Sequence, residues 1–395
     1  MEKVAARYVY TLDGSGPIRD GYVEYGPDGV VAGVGQCSDP SSEETFIEGA
    51  IVPGFVNAHC HVELSYMWKL FRKGTGMAGF IDQINALRDT RPMEEKLKDI
   101  RFRMDQMWDR GVSAMADISN CADSFAIKKE SPMYTRTFLE VFGTEPEDCS
   151  GVIADVLRLQ EEAESYGLDA APTPHACYTM SPELLTASSK EGLKSGFLSF
   201  HSEETEQEEE MVKYGSGPMW ENRKAAGMSV PPVCGKSSLL YFIDRLQEAH
   251  PAPFEENILL VHEVCMDQKG IDAVKEVMVN PYIALCPCSN LYIHNALPDV
   301  PLMRRNGLKL TVGTDSLSSN DDLDIVRELR CLQEHFEGLE LNELLTWACL
   351  NGAAFLRKED TLGSLRPGKK PGIVVIENLD AEGRLTARSH SYRII

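Results

Sequence analysis

The sequence predicts an α/β fold: a closed (β/α)8 barrel of the TIM type, with a small β-sandwich built from both chain termini. In the middle of the chain, short β-rich segments alternate with helical segments, whereas both ends carry only short β-like runs divided by turns. The 395 residues are enough for one large barrel with an accessory domain. We therefore predict a composite sandwich domain of residues 1–50 with 360–395, and a barrel of residues 51–359.

The prediction of a barrel comes from counting the repeating units. Helical periodicity separates most of the β-rich segments, as in residues 93–109, 152–166 and 270–278. Regular alternation of strands and helices predicts a parallel sheet, and eight units predict a closed barrel. Besides the strand before His59, the predicted strands are residues 112–118, 135–142, 170–175, 197–202, 258–264, 282–287 and 308–315.

The two ends of the chain have a different pattern. Residues 8–10, 22–25 and 30–34 form short β-like runs, and the same pattern occurs again in residues 363–376. Gly, Asp and Pro turns separate the runs, which indicates antiparallel strands. Since neither end is large enough to close a core alone, we expect the two ends to pair into one small domain.

Composition and charge exclude several classes of function. The net charge of −22 argues against nucleic acids and anionic membranes as partners, because both would be repelled. No window reaches the length of a membrane span, and the N-terminus lacks an apolar signal region. The eleven cysteines are scattered through apparent strands and helices, which predicts reduced thiols and a cytoplasmic location.

A pair of histidines follows the first predicted barrel strand. An apolar run from Ile51 leads to His59 and His61, which are separated by one residue. Alternate side chains of a strand point the same way, so the two imidazoles project together from the strand's carboxyl end. In a TIM barrel the active site lies at that end of the strands. The pair is therefore expected to form half of a metal site.

The other histidines strengthen this expectation. Five of the nine histidines, and one aspartate, fall at predicted strand ends: His59, His61, His175, His201, His262 and Asp315. Imidazole nitrogen and carboxylate oxygen suit a borderline divalent cation such as Zn²⁺. A catalytic ion keeps one position open for water. We predict that the ion is surrounded by His59, His61, His201 and Asp315.

Two further residues are candidates for acid–base chemistry, together with Asp315. Glu204 lies three positions beyond His201, just past the strand end, where it can face the same cavity. His262 ends the next strand, and it is placed to bond the attacking water or a developing oxyanion. The remaining acids of this run are assigned to a solvated surface: Glu206, Glu208, Glu209 and Glu210.

Four separated motifs resemble the metal-dependent amidohydrolase superfamily, in its branch of aminated-heterocycle deaminases and triazine chlorohydrolases. They are residues 53–61, 174–182, 201–205 and 313–320, and the resemblance spans nearly the whole chain. It implies one divalent ion held by the four ligands named above, with Zn²⁺ expected and Fe²⁺ or Mn²⁺ as alternatives. A single ion is expected because His175 stands where two-metal relatives carry a carboxylated lysine.

The resemblance also implies roles for three residues. It makes Glu204 a proton shuttle to a ring nitrogen and a substrate contact, places His262 on the water, and places His175 against the substrate. The expected activity is hydrolytic deamination of an aminated purine or purine-nucleoside-like ring by an enzyme that acts on non-peptide C–N bonds. A chlorohydrolase or a formimino hydrolase on the same machinery is the alternative. A non-catalytic scaffold is a third, although the complete ligand set argues against it.

The motifs leave the substrate itself open. Residues 61–65 resemble aminofutalosine deaminases more than adenosine-type members of the branch. Cys288 stands where many relatives have Arg, and only Asp89 lies near the place of the ribose-binding Glu of nucleoside deaminases. Both departures weigh against a ribose-bearing substrate. We expect a small-molecule substrate and a homodimer. The substrate contacts left open are Glu63, Trp68, Asp89 and His294, and packing is the favoured role for Trp68 and His294.

Overall fold

A computed structural model describes residues 1–43, 45–88 and 90–395. Asp89, one of the open substrate contacts, lies outside the described residues. The strands in the described part of the chain are β1 (Glu2–Val9), β2 (Ile18–Tyr25), β3 (Val31–Gln36), β4 (Phe46–Pro53), β5 (Phe55–Cys60), β6 (Val112–Ser119), β7 (Tyr134–Val141), β8 (Asp169–Pro174), β9 (Phe197–Ser202), β10 (Phe254–His262), β11 (Met278–Leu285), β12 (Lys309–Val312), β13 (Ile373–Glu377) and β14 (His390–Arg393).

Helices connect most of the central strands. They are α1 (Gly76–Leu87), α2 (Met93–Asp109), α3 (Phe125–Glu130), α4 (Cys149–Ser165), α5 (Pro182–Leu193), α6 (Glu206–Glu209), α7 (Gly217–Ala225), α8 (Ser238–Ala249), α9 (Gln268–Val277), α10 (Pro287–His294), α11 (Val300–Arg305), α12 (Ile325–His335), α13 (Leu341–Leu345) and α14 (Gly352–Phe355). Short 3₁₀ segments lie at Pro40–Ser42, Val62–Met67, Pro146–Asp148 and Cys177–Thr179, and π turns lie at Glu210–Tyr214 and Thr346–Asn351. None of the helices in the described residues combines the length and the apolar character needed to cross a membrane.

The eight central strands form two parallel sheets of four strands each. One sheet has the order β5-β6-β7-β8, and the other has the order β12-β11-β10-β9. Their outer strands meet at two places: Cys60 forms a parallel bridge with Asp315, and Ala176 forms one with His201. The predicted α/β class with parallel strands is thus confirmed. The predicted site residues lie at or just beyond the carboxyl ends of β5, β8, β9, β10 and β12.

The apolar run before His59 is divided between two sheets at Gly54. β4 ends at Pro53 in the terminal sheet, and β5 begins at Phe55 in a parallel sheet. A Cβ atom at Gly54 would lie 2.0 Å from Ser113 Oγ and 2.4 Å from the carbonyl oxygen of Pro371. Only glycine fits this close approach. The predicted domain boundary after residue 50 therefore falls inside a strand that continues to Pro53.

Both chain termini contribute to one six-stranded sheet, with the order β14-β13-β4-β1-β2-β3. The described residues form a single hydrogen-bonded sheet here, and the predicted sandwich stays a prediction. Alternate side chains of β4 enter different cores: Ala50 and Val52 join the large core with α2 and α12, whereas Ile47 and Ile51 join a small separate core. The helices supply the second layer that a facing sheet would otherwise provide.

Candidate active site

The predicted site residues converge at the carboxyl ends of the parallel strands. A cavity of about 680 Å³ opens there. Its wall includes His61, His175, His201, Glu204, His262 and Asp315. His59 is fully buried beneath them, with its ring centroid 4.9 Å from that of His61 and 4.7 Å from that of His201.

Three imidazole nitrogens point at one another in the floor of the cavity. His59 Nε2 lies 3.2 Å from His61 Nε2 and 3.2 Å from His201 Nε2. Asp315 Oδ1 completes the group at 3.5 Å from His61 Nε2 and 3.8 Å from His59 Nε2. The structure therefore brings together all four predicted ligand residues.

This arrangement fits a divalent cation. One proton on His59 Nε2 satisfies only one of the two nitrogens that face it, so hydrogen bonding alone leaves converging lone pairs. Tetrahedral Zn²⁺ with Zn–N distances near 2.0–2.1 Å separates its ligand nitrogens by about 3.3 Å, close to the spacing seen here. The donor set of three imidazoles and one carboxylate also matches the ligands that Zn²⁺ accepts.

Burial keeps the imidazoles in the neutral form that binds metals. It is the main cause of the lowered pKa of His59, His61 and His201, and neighbouring histidines lower the pKa of His59 and His201 further. Burial acts in the opposite direction on Asp315, but His61, His262 and His59 together hold the pKa of this carboxyl below its ordinary value. Neutral rings and an ionised carboxylate are the protonation states of metal ligands.

Asp315 is held in place by its own loop and by α10. Its Oδ2 accepts hydrogen bonds from Ser289 Oγ at 2.6 Å and Ser319 Oγ at 2.8 Å, and its Oδ1 accepts one from Ser316 N at 2.8 Å. Its backbone N–H donates to the carbonyl oxygen of His59 at 3.0 Å, which joins β5 to the end of β12. These hydrogen bonds thus fix the orientation of the carboxylate of this predicted ligand.

Several backbones at the site adopt a left-handed conformation that non-glycine residues rarely take. The φ angles are +46° at Glu203, +77° at His262, +51° at Glu263 and +56° at Asp315. Each such residue costs about 1–3 kcal/mol, and such residues cluster at functional sites. Hydrogen bonds between neighbouring strand ends stabilise the conformation, among them Glu263 N to Ser202 O at 3.1 Å.

Glu204 stands over the ligand group in a closed environment. It is 3% exposed, its Oε1 lies 3.5 Å from His262 Nε2, and its Oε2 accepts a hydrogen bond from the Tyr178 hydroxyl at 3.2 Å. Burial, and then the charges of Asp315 and Glu208, raise the pKa of this carboxyl well above its ordinary value. A raised pKa favours the protonated form of this buried carboxyl, and that form suits general acid catalysis.

Glu208 corrects one of the predictions. The sequence assigned it to a solvated surface, but it is fully buried, and its Oε2 accepts a hydrogen bond from the backbone N–H of Glu204 at 2.8 Å. The acidic run follows β9 and continues into α6. Glu208 lies in the first turn of this helix, close to the end of the strand. Glu208 therefore orients the chain segment that carries Glu204.

His262 is held by α10. Asn290 Nδ2 lies 3.1 Å from His262 Nδ1, and donation from the amide leaves the proton of the neutral ring on Nε2. That N–H is directed toward Glu204 Oε1. Burial lowers the pKa of His262 to about 4, so the ring is a neutral hydrogen-bond donor at neutral pH.

His175 follows β8 and lines the cavity. Its Nδ1 lies 2.6 Å from Thr179 Oγ1, and the Thr179 hydroxyl donates to the carbonyl oxygen of Ala176 at 3.2 Å. The hydroxyl oxygen is then an acceptor toward His175, which places the ring proton on Nδ1 and leaves Nε2 as an acceptor in the cavity. Burial lowers the pKa of His175 to about 3, so the ring is neutral.

Three residues of the site escaped the sequence analysis: Glu140, Tyr178 and Asn290. Glu140 stands near the end of β7 and lines the cavity. A carboxylate among the apolar residues of a buried strand was the signal that could have identified it. Tyr178 lies within the motif of residues 174–182, and Asn290 lies in the segment around Cys288. The hydrogen-bond partners of both residues are distant in the sequence.

The residues that the sequence left open as possible substrate contacts have different environments. In the described residues, the wall of the cavity does not include Glu63, Trp68 or His294. Glu63 instead accepts the backbone N–H of Asn120 at 3.0 Å with each carboxylate oxygen. Trp68 Nε1 donates to the carbonyl oxygen of Asp321 at 2.7 Å, and the Arg103 guanidinium lies over its ring.

The outer part of the cavity is largely apolar. Charged side chains of both signs interrupt it: Arg88, Arg223, Asp82, Glu145 and Asp148. The Arg88 guanidinium lies 5.6 Å from the ring centroid of Phe142. The apolar wall includes Phe80, Ile81, Ile84, Phe142, Val152, Met219 and Met228.

Residues 50–387 match the family model described as the Amidohydrolase family. The chain belongs to the amidohydrolase family. The resemblance stated from the four motifs is thereby confirmed, and so is the predicted enzyme class, a hydrolase that acts on carbon–nitrogen bonds other than peptide bonds. Amidohydrolases bind a divalent metal, which agrees with the histidine cluster of this chain.

Two curated relatives extend over most of the chain. A 5-methylthioadenosine/S-adenosylhomocysteine deaminase of Moorella thermoacetica is 26% identical over 350 residues, covering 82% of this chain and 73% of the relative. An adenosine deaminase of Helicobacter pylori is 27% identical over 349 residues, covering 85% and 81%.

Solved structures share the fold. Aminofutalosine deaminase of Helicobacter pylori, in complex with methylthio-coformycin, matches with a TM-score of 0.78 and 22% identity, covering 98% of this chain and 94% of that chain. An adenosine deaminase of Xanthomonas campestris with bound zinc matches with a TM-score of 0.71 and 19% identity, covering 95% and 84%. Neighbours of this kind have a TIM barrel with a small extra domain.

Proposed function

We propose that this amidohydrolase is a metal-dependent deaminase that replaces the exocyclic amine of a purine-nucleoside-like ring with oxygen. The observation that carries the proposal is the buried Glu204 carboxyl, which lies beside His262 in the cavity that His61, His201 and Asp315 also line. The curated relatives support it, because their names describe deaminases of adenosine and of its 5′-thio derivatives.

The proposed metal ligands are His59, His61, His201 and Asp315, and the proposed ion is one Zn²⁺ per chain, with Fe²⁺ or Mn²⁺ as alternatives. The spacing of the three Nε2 atoms supports this assignment, as does the zinc in the adenosine deaminase of Xanthomonas campestris. When bound, the ion would supply Lewis-acid activation of a water molecule near neutral pH.

Glu204 is proposed to move the protons of the reaction. Attack of water on the ring carbon is slow unless the adjacent ring nitrogen gains a proton, because negative charge otherwise builds up on the ring. The neutral Glu204 carboxyl donates that proton, and the resulting carboxylate takes one from the attacking water. Glu204 then passes this proton to the amine, the C–N bond breaks and ammonia leaves. The proton of the new hydroxyl group returns to the Glu204 carboxylate as the carbonyl forms, which restores the neutral carboxyl. The Tyr178 hydroxyl orients the carboxyl throughout.

The other proposed roles follow from hydrogen-bond direction. His262 Nε2–H donates toward the attacking water and the developing oxyanion, while His175 Nε2 accepts from a donor group of the substrate. Asp315 stays ionised and accepts a hydrogen bond from the water. These assignments require the tautomers that Asn290 and Thr179 impose on the two rings.

The shape of the cavity supports an extended substrate. At about 680 Å³ it is larger than a purine ring requires, and its outer wall is lined mainly by aromatic and methionine side chains. A purine nucleoside with an apolar 5′ substituent would fill both parts. The cavity therefore favours a ribose-bearing substrate, whereas Cys288 and the position of Asp89 in the sequence weigh against one.

The decisive test is turnover of the Glu204→Gln variant, with metal content measured alongside. We expect turnover to fall by at least about 10²–10⁴-fold, because general acid–base catalysis is lost, while bound Zn²⁺ stays near one per chain. His61→Ala is the matched contrast, since it should lower metal occupancy itself. Near-normal turnover of Glu204→Gln with full metal would contradict the proposed role.

The substrate is identified by ammonia release from a defined panel. The panel contains adenosine, 5′-deoxyadenosine, 5-methylthioadenosine, S-adenosylhomocysteine, aminofutalosine and guanine, with atrazine to test release of chloride. We expect the highest kcat/KM with a 5′-substituted nucleoside. Chloride release without ammonia release would favour the chlorohydrolase alternative.

Three properties of the whole molecule are also proposed: a closed barrel, a homodimer and a cytoplasmic location. We propose that the two parallel sheets close into one eight-stranded barrel, which the bridges Cys60–Asp315 and Ala176–His201 support. A homodimer and a cytoplasmic location stay predictions. Light scattering coupled to size-exclusion chromatography measures the first, and cell fractionation the second.

A further inference from the structure

Glu140 has one satisfied and one unsatisfied oxygen at the centre of the site. It is 7% exposed, and its Oε2 accepts a hydrogen bond from Asn120 Nδ2 at 3.1 Å. Its Oε1 has no hydrogen-bond partner among the described residues, and the same holds for His201 Nδ1. These two atoms lie 3.4 Å apart. An unpaired buried carboxyl oxygen therefore faces an unpaired buried ring nitrogen.

We propose that Glu140 is a positioning residue that accepts a hydrogen bond from His201 Nδ1–H and so directs His201 Nε2 toward the metal site. The inference rests on the proposed function, because it takes His201 as a metal ligand. A ligating histidine almost always donates its other ring N–H to a carboxylate, a carbonyl or a water, and this bond sets the tautomer and the ring orientation.

His175 is not a competing donor to this carboxylate. Its Nε2 lies 4.0 Å from Glu140 Oε1, beyond hydrogen-bond distance. Its ring proton is on Nδ1, where it bonds to Thr179 Oγ1, so the Nε2 that faces Glu140 is an acceptor. Of the two rings beside Glu140, only His201 can present an N–H to it.

A second layer of hydrogen bonds holds Glu140 from behind. Asn120 Nδ2 donates to the Glu140 backbone carbonyl at 3.0 Å as well as to Oε2. The backbone N–H of Asn120 is itself bound by both carboxylate oxygens of Glu63. The carboxyl group of Glu63, two residues beyond His61, is thereby linked through Asn120 and Glu140 to His201.

The test compares Zn²⁺ affinity of the wild type and Glu140→Gln by competition with a chelator. Both neighbours of the Glu140 carboxylate are donors, so the single carbonyl oxygen of Gln satisfies only one of them. We expect the dissociation constant for Zn²⁺ to rise about 10–100-fold. Glu145→Gln is the matched control, because Glu145 lines the same cavity but bonds to Ser229 N and Oγ at 2.8 and 2.7 Å.

A second readout follows the tautomer of His201 without metal or activity. In ¹⁵N-histidine-labelled, metal-free protein, long-range ¹H–¹⁵N correlation spectra should show His201 protonated on Nδ1 in the wild type and in Glu145→Gln. Glu140→Gln should give a mixture of tautomers. Asn120→Ala keeps the carboxylate but releases its Oε2, so we expect a smaller loss of affinity, of the order of a few-fold. This variant decides the matter if circular dichroism shows that Glu140→Gln does not fold.

Each outcome has a distinct meaning. A wild type that binds no Zn²⁺ refutes the proposed function itself. One ion in the wild type, with unchanged affinity and tautomer in Glu140→Gln, overturns the positioning role alone. Two ions in the wild type, one of them lost in Glu140→Gln, overturn it as well. That result would assign a separate metal site to Glu140, His175 and His201, whose ligand atoms lie within 4.8 Å of one another.

Discussion

At the scale of single residues, the chemistry depends on where a few protons sit. His262 and His175 are both buried and neutral, yet they present opposite faces to the cavity: His262 a donor and His175 an acceptor. The difference comes from their partners, since Asn290 donates to one ring and Thr179 accepts from the other. Two identical side chains thus acquire two roles.

The role of Asn290 can be tested directly. Asn290→Ala removes the amide that donates to His262 Nδ1. The ring proton of His262 is then no longer held on Nε2, and the buried Nδ1 loses its hydrogen-bond partner. Loss of a buried hydrogen bond costs about 1–3 kcal/mol, so we expect turnover to fall by about tenfold or more. Zn²⁺ content, measured by atomic absorption, should be unchanged. An unaltered kcat would show that the tautomer of His262 does not limit the reaction.

At the scale of secondary structure elements, close approach of strand ends builds the site. Gly313 follows β12 and lies against β5, where a Cβ atom would be 2.7 Å from the His59 carbonyl oxygen and 2.8 Å from the His59 Cβ. No larger residue fits this junction without moving His59. The position of a proposed metal ligand therefore depends on a glycine that follows a neighbouring strand.

Substitution of this glycine should weaken metal binding. In Gly313→Ala, the displacement of His59 should raise the dissociation constant for Zn²⁺ by at least about tenfold, as expected when support of a ligand is lost. Gly151→Ala is the control, because a Cβ at that helical position meets nothing within 4 Å. Chelator competition measures both. Equal affinities in the two variants would contradict the steric argument.

A buried ion pair supports the loop that carries the paired histidines. Lys128 Nζ of α3 lies 2.6 Å from Asp117 Oδ2 of β6, and both side chains are fully buried. Asp117 Oδ1 in turn accepts the backbone N–H of Val62, directly after His61, at 2.8 Å. The pair thus joins the core to the metal site.

Removing one partner of this pair should destabilise the protein strongly. Lys128→Met leaves a buried, uncompensated carboxylate, and we expect the free energy of unfolding to fall by about 3–5 kcal/mol. Urea denaturation followed by circular dichroism measures the change. The neighbouring Lys129 is exposed, so Lys129→Met should change stability by less than about 0.5 kcal/mol. Similar midpoints for both variants would rule out a stabilising role for the pair.

At the scale of the whole molecule, the two chain ends meet in one sheet. β4, from the N-terminal region, pairs with β13, from the C-terminal region, over Ile373–Pro53 to Glu377–Gly49. We propose that these ends form one domain, with its boundary after Pro53 on the N-terminal side. The sheet also shares a core with the barrel helices, because Val374 and Ile376 pack into the large core.

Deletion of residues 363–395 tests this proposal. The truncation removes β13 and β14, which exposes the apolar edge of β4 and opens the large core. Exposed apolar strand edges promote aggregation, so we expect insoluble protein in place of the soluble wild type. The soluble fraction after expression and centrifugation is the measurement. A soluble, folded truncation would show that the C-terminal strands are dispensable.

The sequence by itself predicted most of the elements and a set of candidate metal ligands. Period-two and helical patterns are local, so α2 was predicted at its observed bounds of Met93–Asp109, and β9 at Phe197–Ser202. The proposed ligands His59, His61, His201 and Asp315 were predicted because each lies at or just beyond the end of an apolar strand, and parallel strands bring their carboxyl ends to one edge. Each of these signals comes from residues that lie close together in the chain.

Tertiary structure alone decided what orients those residues. Tyr178 and Glu204 are 26 positions apart, His262 and Asn290 are 28 apart, and Glu140 comes from a strand that carries no histidine at its end. Such partners meet only because separate β/α units pack side by side, and no local pattern encodes that pairing. For the same reason the acidic run after His201 was misjudged: composition predicted a solvated surface, but the fold buries Glu208 against the backbone N–H of Glu204.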